Sequence, residues 1–198
     1  MVPSLHGLWP DGLPAGRLVC CTGVAAASTA ITITTEAVRE GSWLAVVDTP
    51  WLGVEAVRAL GLPLERLVRI DTSGRDATTW AEVIAAALDG FELVVTEPPR
   101  GVSASLLRRV HVRLRSRGAV LVTLGGDANV ADATVHTTTR GWEHVTDGHG
   151  YLAARRVEVE VAGRRVPIPR VATLWLPDPT GGCRVLEPAP STSLRAVG

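Results

Sequence analysis

Short apolar runs alternate with helix-compatible stretches from Arg17 to Leu124. Runs of roughly four to eight β-branched or aliphatic residues, bounded by Gly or Pro, predict buried strands. Strands are therefore expected at Arg17–Thr22, Trp43–Asp48, Leu67–Ile70, Phe91–Thr96 and Ala119–Leu124. Helices are expected between them, at Ala26–Glu40, Gly53–Leu60, Thr79–Leu88 and Ser103–Arg117. The first helix carries a conflict. Its Thr-rich ITITT centre favours strand, while its length and Ala-rich start favour helix. Gly61, Gly90 and Gly118 supply the stops. This alternation predicts an α/β fold: a mostly parallel twisted sheet flanked by helices.

The rhythm changes after Gly125–Gly126. Ala133–Thr139 and Arg155–Val161 read as antiparallel edge strands, with Gly163 in a turn. From Val166 onward proline recurs at 167, 169, 177, 179, 188 and 190, which excludes helix and predicts an extended arm. Residues 1–165 are thus expected to form the α/β core. Residues 166–198 are expected to form an extended, Pro-rich C-terminal arm that binds a partner.

Composition narrows the chemistry. All 20 basic residues are arginine, so the 198-residue chain has no lysine. Schiff-base catalysis, a lysine general base and a complete Walker A phosphate loop are excluded, because each needs that amine. Residues 1–99 hold 6 arginines and 12 acids, and residues 100–198 hold 14 arginines and 8 acids. The basic second half points to a polar or acidic partner. No apolar run is long enough to span a membrane, and no secretory signal is visible, so a cytoplasmic location is expected. Three cysteines, two of them adjacent at Cys20 and Cys21, make no disulfide framework. No cofactor or metal is expected.

Gly12–Ile33, GLPAGRLVCCTGVAAASTAITI, carries the strongest motif. A GLP-x-G-R entry, a strand, a Gly-initiated loop and a helix resemble the opening of a RecA-type ATPase core. A working Walker A needs glycines whose backbone N–H groups cradle phosphate, a lysine for the β/γ phosphates and a hydroxyl for magnesium. Gly23 matches the first glycine. Ser28 stands at the second glycine, Thr29 at the lysine and Ala30 at the metal ligand. The resemblance continues through Val46–Ile70, where Pro50 stands for the family's catalytic glutamate. It extends to FELVVTE (Phe91–Glu97), which is similar to a Walker B strand with Glu97 near the metal-associated acid. AVLVTLGG (Ala119–Gly126) resembles the strand that ends in a nucleotide-sensing glutamine, which is missing here. The likeness runs over about residues 7–161 in element order.

A WPDGLP entry, the segment GHGYLAARRVEVEVAGRR (Gly148–Arg165) and a Pro-rich tail make the chain resemble the actinobacterial ImuA′ family. The resemblance implies a non-catalytic accessory role in translesion synthesis during the SOS response. Its implied partners are ImuB, an inactive Y-family polymerase relative, and an error-prone C-family polymerase, with the C-terminal region helping to bind ImuB. The SulA-like division inhibitors are the alternative relatives. A nucleotide hydrolase using Thr29, Asp48 and Glu97, or a weak DNA-binding protein, are the competing functional classes.

Two surfaces are candidates for contact. From Arg100 to Arg117 there are six arginines and no acids. Leu106, Leu107, Val110 and Leu114 mark the buried face of that helix, leaving Arg108, Arg109, Arg113, Arg115 and Arg117 for single-stranded DNA phosphates or an acidic partner. No aromatic residue is interleaved there, so base stacking is not supported. The second surface is Arg155, Arg156, Arg164, Arg165 and Arg170 with Trp175 and Leu176, since tryptophan and arginine are the residue types that most often dominate protein interfaces. His144 and His149, with Asp147 between them, match no metal-site spacing and read as structural or surface groups. Asp48 and Glu97 close strands on the ligand-binding side of an α/β sheet, where remnant or capping roles are expected.

Overall fold

The computed structural model describes residues 7–10, 12–72, 76–143, 145–146, 149–150, 152–164 and 166–186. Five parallel strands alternate with four helices: β1 (Arg17–Gly23), α1 (Ala26–Arg39), β2 (Leu44–Val47), α2 (Val54–Ala59), β3 (Leu67–Ile70), α3 (Ala77–Gly90), β4 (Leu93–Thr96), α4 (Ala104–Arg117) and β5 (Val120–Leu124). Then come β6 (Ala133–Trp142), β7 (Val145–Thr146), β8 (His149–Gly150), β9 (Arg155–Gly163), β10 (Val166–Trp175) and β11 (Arg184–Val185). Nine strands form one sheet in the order β11-β10-β9-β6-β1-β5-β4-β2-β3, and β7 pairs with β8 separately. β3 through β6 in that order are parallel, and β6, β9, β10 and β11 pair antiparallel.

β6 joins the two regimes, parallel to β1 on one side and antiparallel to β9 on the other. The stretch expected as an arm begins as a ten-residue strand, β10, paired along β9. Leu174 and Leu176 are fully buried, so this stretch is part of the packed core. What lies beyond residue 186 falls outside the described residues.

Each sheet face has its own core. One contains α1 and α2 residues such as Ile31, Val38 and Val57 against Val19, Val95, Val122, Val159 and Leu174. The other sets Trp80 and Ile84 of α3 and Val110 and Leu114 of α4 against Leu18, Ala45, Val94 and Leu121. The alternation along each strand feeds both faces, as a parallel sheet requires.

The ITITT conflict is resolved by tertiary burial. Thr32 Oγ1 donates to the Ser28 carbonyl at 2.7 Å, and Thr35 Oγ1 donates to that of Ile31 at 2.8 Å. Thr34 Oγ1 donates to the same Ile31 carbonyl at 2.9 Å. Threonines whose hydroxyls bond back along their own helix can be buried there, despite a propensity for strand. α3 begins two residues earlier than its pattern suggests, because Asp76 caps it by accepting from the Thr78 and Thr79 N–H groups. α4 has Ser103 as its N-cap and Gly118, at φ +68°, as its left-handed stop. Among the described residues, no helix is long and apolar enough to cross a membrane.

Candidate functional site

Four regions bear on function, and the loop after β1 comes first. Gly23 sits at φ +88°, and a Cβ there would approach the Thr137 carbonyl oxygen to 2.0 Å. The glycine is thus required by the close approach of β1 and β6. Thr137 Oγ1 donates to the Thr22 carbonyl at 2.9 Å and accepts from the Ala25 N–H at 3.0 Å. α1 begins at Ala26, so only Val24 and Ala25 separate Gly23 from the helix. Ser28, Thr29 and Ala30 all lie inside that helix. Thr29 is 1% exposed and Ala30 is 0% exposed. The Thr29 hydroxyl is buried with no hydrogen-bond partner. Thr29, which the resemblance sets at the lysine position of a phosphate loop, therefore points into the core.

The second region is a crevice at the carboxyl ends of β2 and β4. These neighbouring strands send their chains to opposite faces, since β2 leads to α2 and β4 to α4. Such a switch point is where doubly wound sheets open a crevice. A cavity of about 300 Å³ there is lined by Asp48, Trp80, Glu97, Pro98, Pro99 and Arg100. Asp48 adopts φ +53°, and its carboxylate accepts from the Thr72 N–H and the Thr72 hydroxyl, both at 2.8 Å. It ties the end of β2 to the end of β3. Glu97 is exposed and accepts from the Trp51 indole N–H at 3.1 Å. Thr29 is not among the residues lining this cavity. Among the described residues, no group of three or more His, Cys, Asp or Glu is placed to hold a metal ion.

The arginine helix α4 is the third region. Arg108, Arg109 and Arg115 are exposed. Arg113 and Arg117 converge on Asp89 near the end of α3, with Arg117 Nε donating at 2.9 Å. The hydrogen bond from Arg113, reinforced by Arg117, holds the Asp89 carboxyl below the usual carboxylate range. Burial pushes the His111 imidazole below its ordinary value.

The fourth region is an open sheet face. β6, β9, β10 and β11 extend beyond α3 and α4 on the face those helices cover elsewhere. Strand register places Arg156, Trp175 and Arg184 side by side across β9, β10 and β11 on this face. The next rungs are Thr138–Glu158–Thr173 and His136–Glu160–Val171. Arg140 reaches Glu158, with its guanidinium nitrogens donating at 2.6 and 3.2 Å. Val171 is 60% exposed.

The other arginines of the C-terminal group have internal jobs. Arg155 Nε donates to the Leu176 carbonyl at 2.9 Å, a second nitrogen donates to that of Val24 at 3.3 Å, and the guanidinium lies over Trp142 at 5.3 Å. Burial lowers its pKa. Arg164 donates to the Val130 carbonyl at 3.3 Å, and Arg170 to that of Leu8 at 3.1 Å. Leu176 is core. Arg165, His144 and Asp147 lie outside the described residues, and His149 is described only through its backbone in β8. Among the described residues of the second predicted group, only Arg156 and Trp175 share the open face. Sequence reading missed Arg184, Thr137 and Trp51, because each acts through strand register or a partner far along the chain.

The family model described as MT3502 N-terminal domain matches residues 7–129, from before β1 to the turn after β5. The chain is also 28% identical over 163 residues to the uncharacterized protein Rv3395c of Mycobacterium tuberculosis, covering 78% of each chain. The open antiparallel face lies beyond the matched family segment.

Proposed function

The chain belongs to the MT3502 N-terminal domain family, and we propose that it is a nucleotide-independent, RecA-like adaptor of a damage-induced translesion mutasome. Its partners in this reading are those that the ImuA′ resemblance implies, an ImuB-like Y-family polymerase relative and an error-prone C-family polymerase. The observation that carries the adaptor reading is the burial of Thr29 and Ala30 within α1. A phosphate loop needs free backbone N–H groups, a cation and a metal-binding hydroxyl at one mouth. Here the Ala25 N–H is bound by Thr137, the lysine position is a core threonine, and the metal position is a core alanine. The fold is then a scaffold for surfaces.

The open face is the partner surface in this proposal. Tryptophan and arginine are the residue types that most often anchor interfaces, and Trp175 lies between two arginines on a face that no helix among the described residues covers. Co-precipitation of the full chain with the ImuB-like protein tests this. Trp175→Ala combined with Arg156→Glu should abolish capture while leaving the unfolding transition in place. Capture undiminished by the pair would move the interface elsewhere. Point variants are needed, because truncation after Gly163 would remove β10 and the buried Leu174 and Leu176 from the core.

A further inference from the structure

The outer side of α4 carries a pattern that the open face does not explain. Ser105, Val112 and Ser116 stand seven and four residues apart, so they line up along one side of the helix. Val112 is 70% exposed in the middle of this line, on the side opposite the buried Val110 and Leu114. A solvent-facing helix line normally carries long polar side chains. Here it is small, with one apolar residue at its centre. Arg108 and Arg109 flank it on either side, and among the described residues neither meets a carboxylate. Together with Ala85 of α3 these residues bound a groove of about 590 Å³. At the far end Asp89 already engages both Arg113 and Arg117. Within the groove lining, the positive charge not held by Asp89 therefore sits at Arg108 and Arg109, next to Val112.

We propose that this groove docks an acidic amphipathic helix of a protein partner, a reading that rests on the adaptor role. Small residues let a second helix approach closely. Val112 meets its apolar seam, and Arg108 and Arg109 meet glutamates flanking that seam, as e and g positions do in paired helices. The 14 residues of α4 offer about 21 Å of length, enough for three to four turns of a partner. Single-stranded nucleic acid fits less well. The groove has no aromatic platform for a base, and its centre is an aliphatic side chain that phosphate would leave unpaired.

The test uses the full chain and a fluorescein-labelled 21-residue helical peptide with Leu at a and d and Glu at e and g, followed by anisotropy. Saturable micromolar binding is expected. Val112→Asp and the pair Arg108→Glu with Arg109→Glu should each weaken it by roughly tenfold or more. Arg58→Glu on α2, on the opposite sheet face, should not change it. Circular dichroism checks that each variant folds; Val112→Ala, which shortens the contact without adding charge, should weaken binding by a smaller factor in the same direction. Absence of saturable binding overturns the proposal. So does binding that Val112→Asp leaves intact, or preferential binding of an oligothymidine of equal length. A nucleotide titration reports separately on the adaptor reading, so failure of the groove and failure of that reading give different signatures.

Discussion

Replacing Gly23 with alanine separates a structural glycine from a phosphate-binding one. The new Cβ would lie 2.0 Å from the Thr137 carbonyl oxygen, which is backbone and cannot swing away. β1 and β6 must therefore move apart. Overpacking of this kind costs about 1–3 kcal/mol. Residue 23 also sits at φ +88°, where an L-residue loses about 1–2 kcal/mol more. The sum is about 2–5 kcal/mol, or roughly 4–20 °C in Tm for a chain of this size. Gly118→Ala is the control, because Gly118 has φ +68° but nothing within 4 Å of an added Cβ. It should lose only the backbone part, about 1–2 kcal/mol. Urea unfolding followed by circular dichroism reads both. A Gly23→Ala loss no larger than that of Gly118→Ala would refute the reasoning, because the steric clash would then contribute nothing.

The same geometry makes further predictions. Thr137→Ala removes the acceptor of the Ala25 N–H and the donor to Thr22, and should cost about 1–3 kcal/mol in the same unfolding assay. Installing Walker A residues with Ser28→Gly, Thr29→Lys and Ala30→Thr should destabilise the fold by about 3–5 kcal/mol, because Thr29→Lys buries an unpaired charge; wild-type stability in that variant would contradict the placement. Arg113 and Arg117 depress the Asp89 pKa, so their contribution to stability is present above the unfolded-state carboxylate pKa and is lost as pH falls through the lower folded value. The stability difference between the wild type and Asp89→Asn should accordingly be present at neutral pH, shrink in acid, and shrink with salt. Burial raises the pKa of both Cys20 and Cys21, so a thiol-specific disulfide reagent should leave both unreacted in the native protein and modify them on unfolding.

The parallel half of the fold was legible because its strands are short apolar runs, most of them closed within three residues by a glycine or proline, as at Gly23, Pro50, Pro98 and Gly125. β3 emerges over the predicted residues, and α4 ends at the predicted Gly118. The helix in α1 was a closer contest, since three of its threonines become compatible with burial only through bonds to carbonyls one turn back. The role of β10 was less visible. Its prolines mask a strand, and the residues that bury it, Leu174 and Leu176, pair with a core that the sequence places far upstream. At the candidate sites, the resemblance singled out Ser28, Thr29 and Ala30 as altered phosphate-loop positions. The helix is expected from Ala26, where α1 begins, but the burial of Thr29 and Ala30 depends on how α1 packs on the sheet, which the sequence does not show. Gly23 looked like a phosphate residue because the partner that requires a glycine, Thr137, is more than a hundred positions away. Arg155 and Arg170 looked free for the same reason: their acceptors, Val24, Leu176 and Leu8, are set by tertiary contact.

The central claim is that this fold works without nucleotide. Calorimetric titration of the full chain with magnesium-ATP, run beside the Ser28→Gly, Thr29→Lys, Ala30→Thr variant, tests it most directly. The account predicts no saturable heat in the micromolar range for either protein, because a buried α1 cannot present a lysine or a metal ligand. Micromolar, magnesium-dependent binding by the wild type would contradict it.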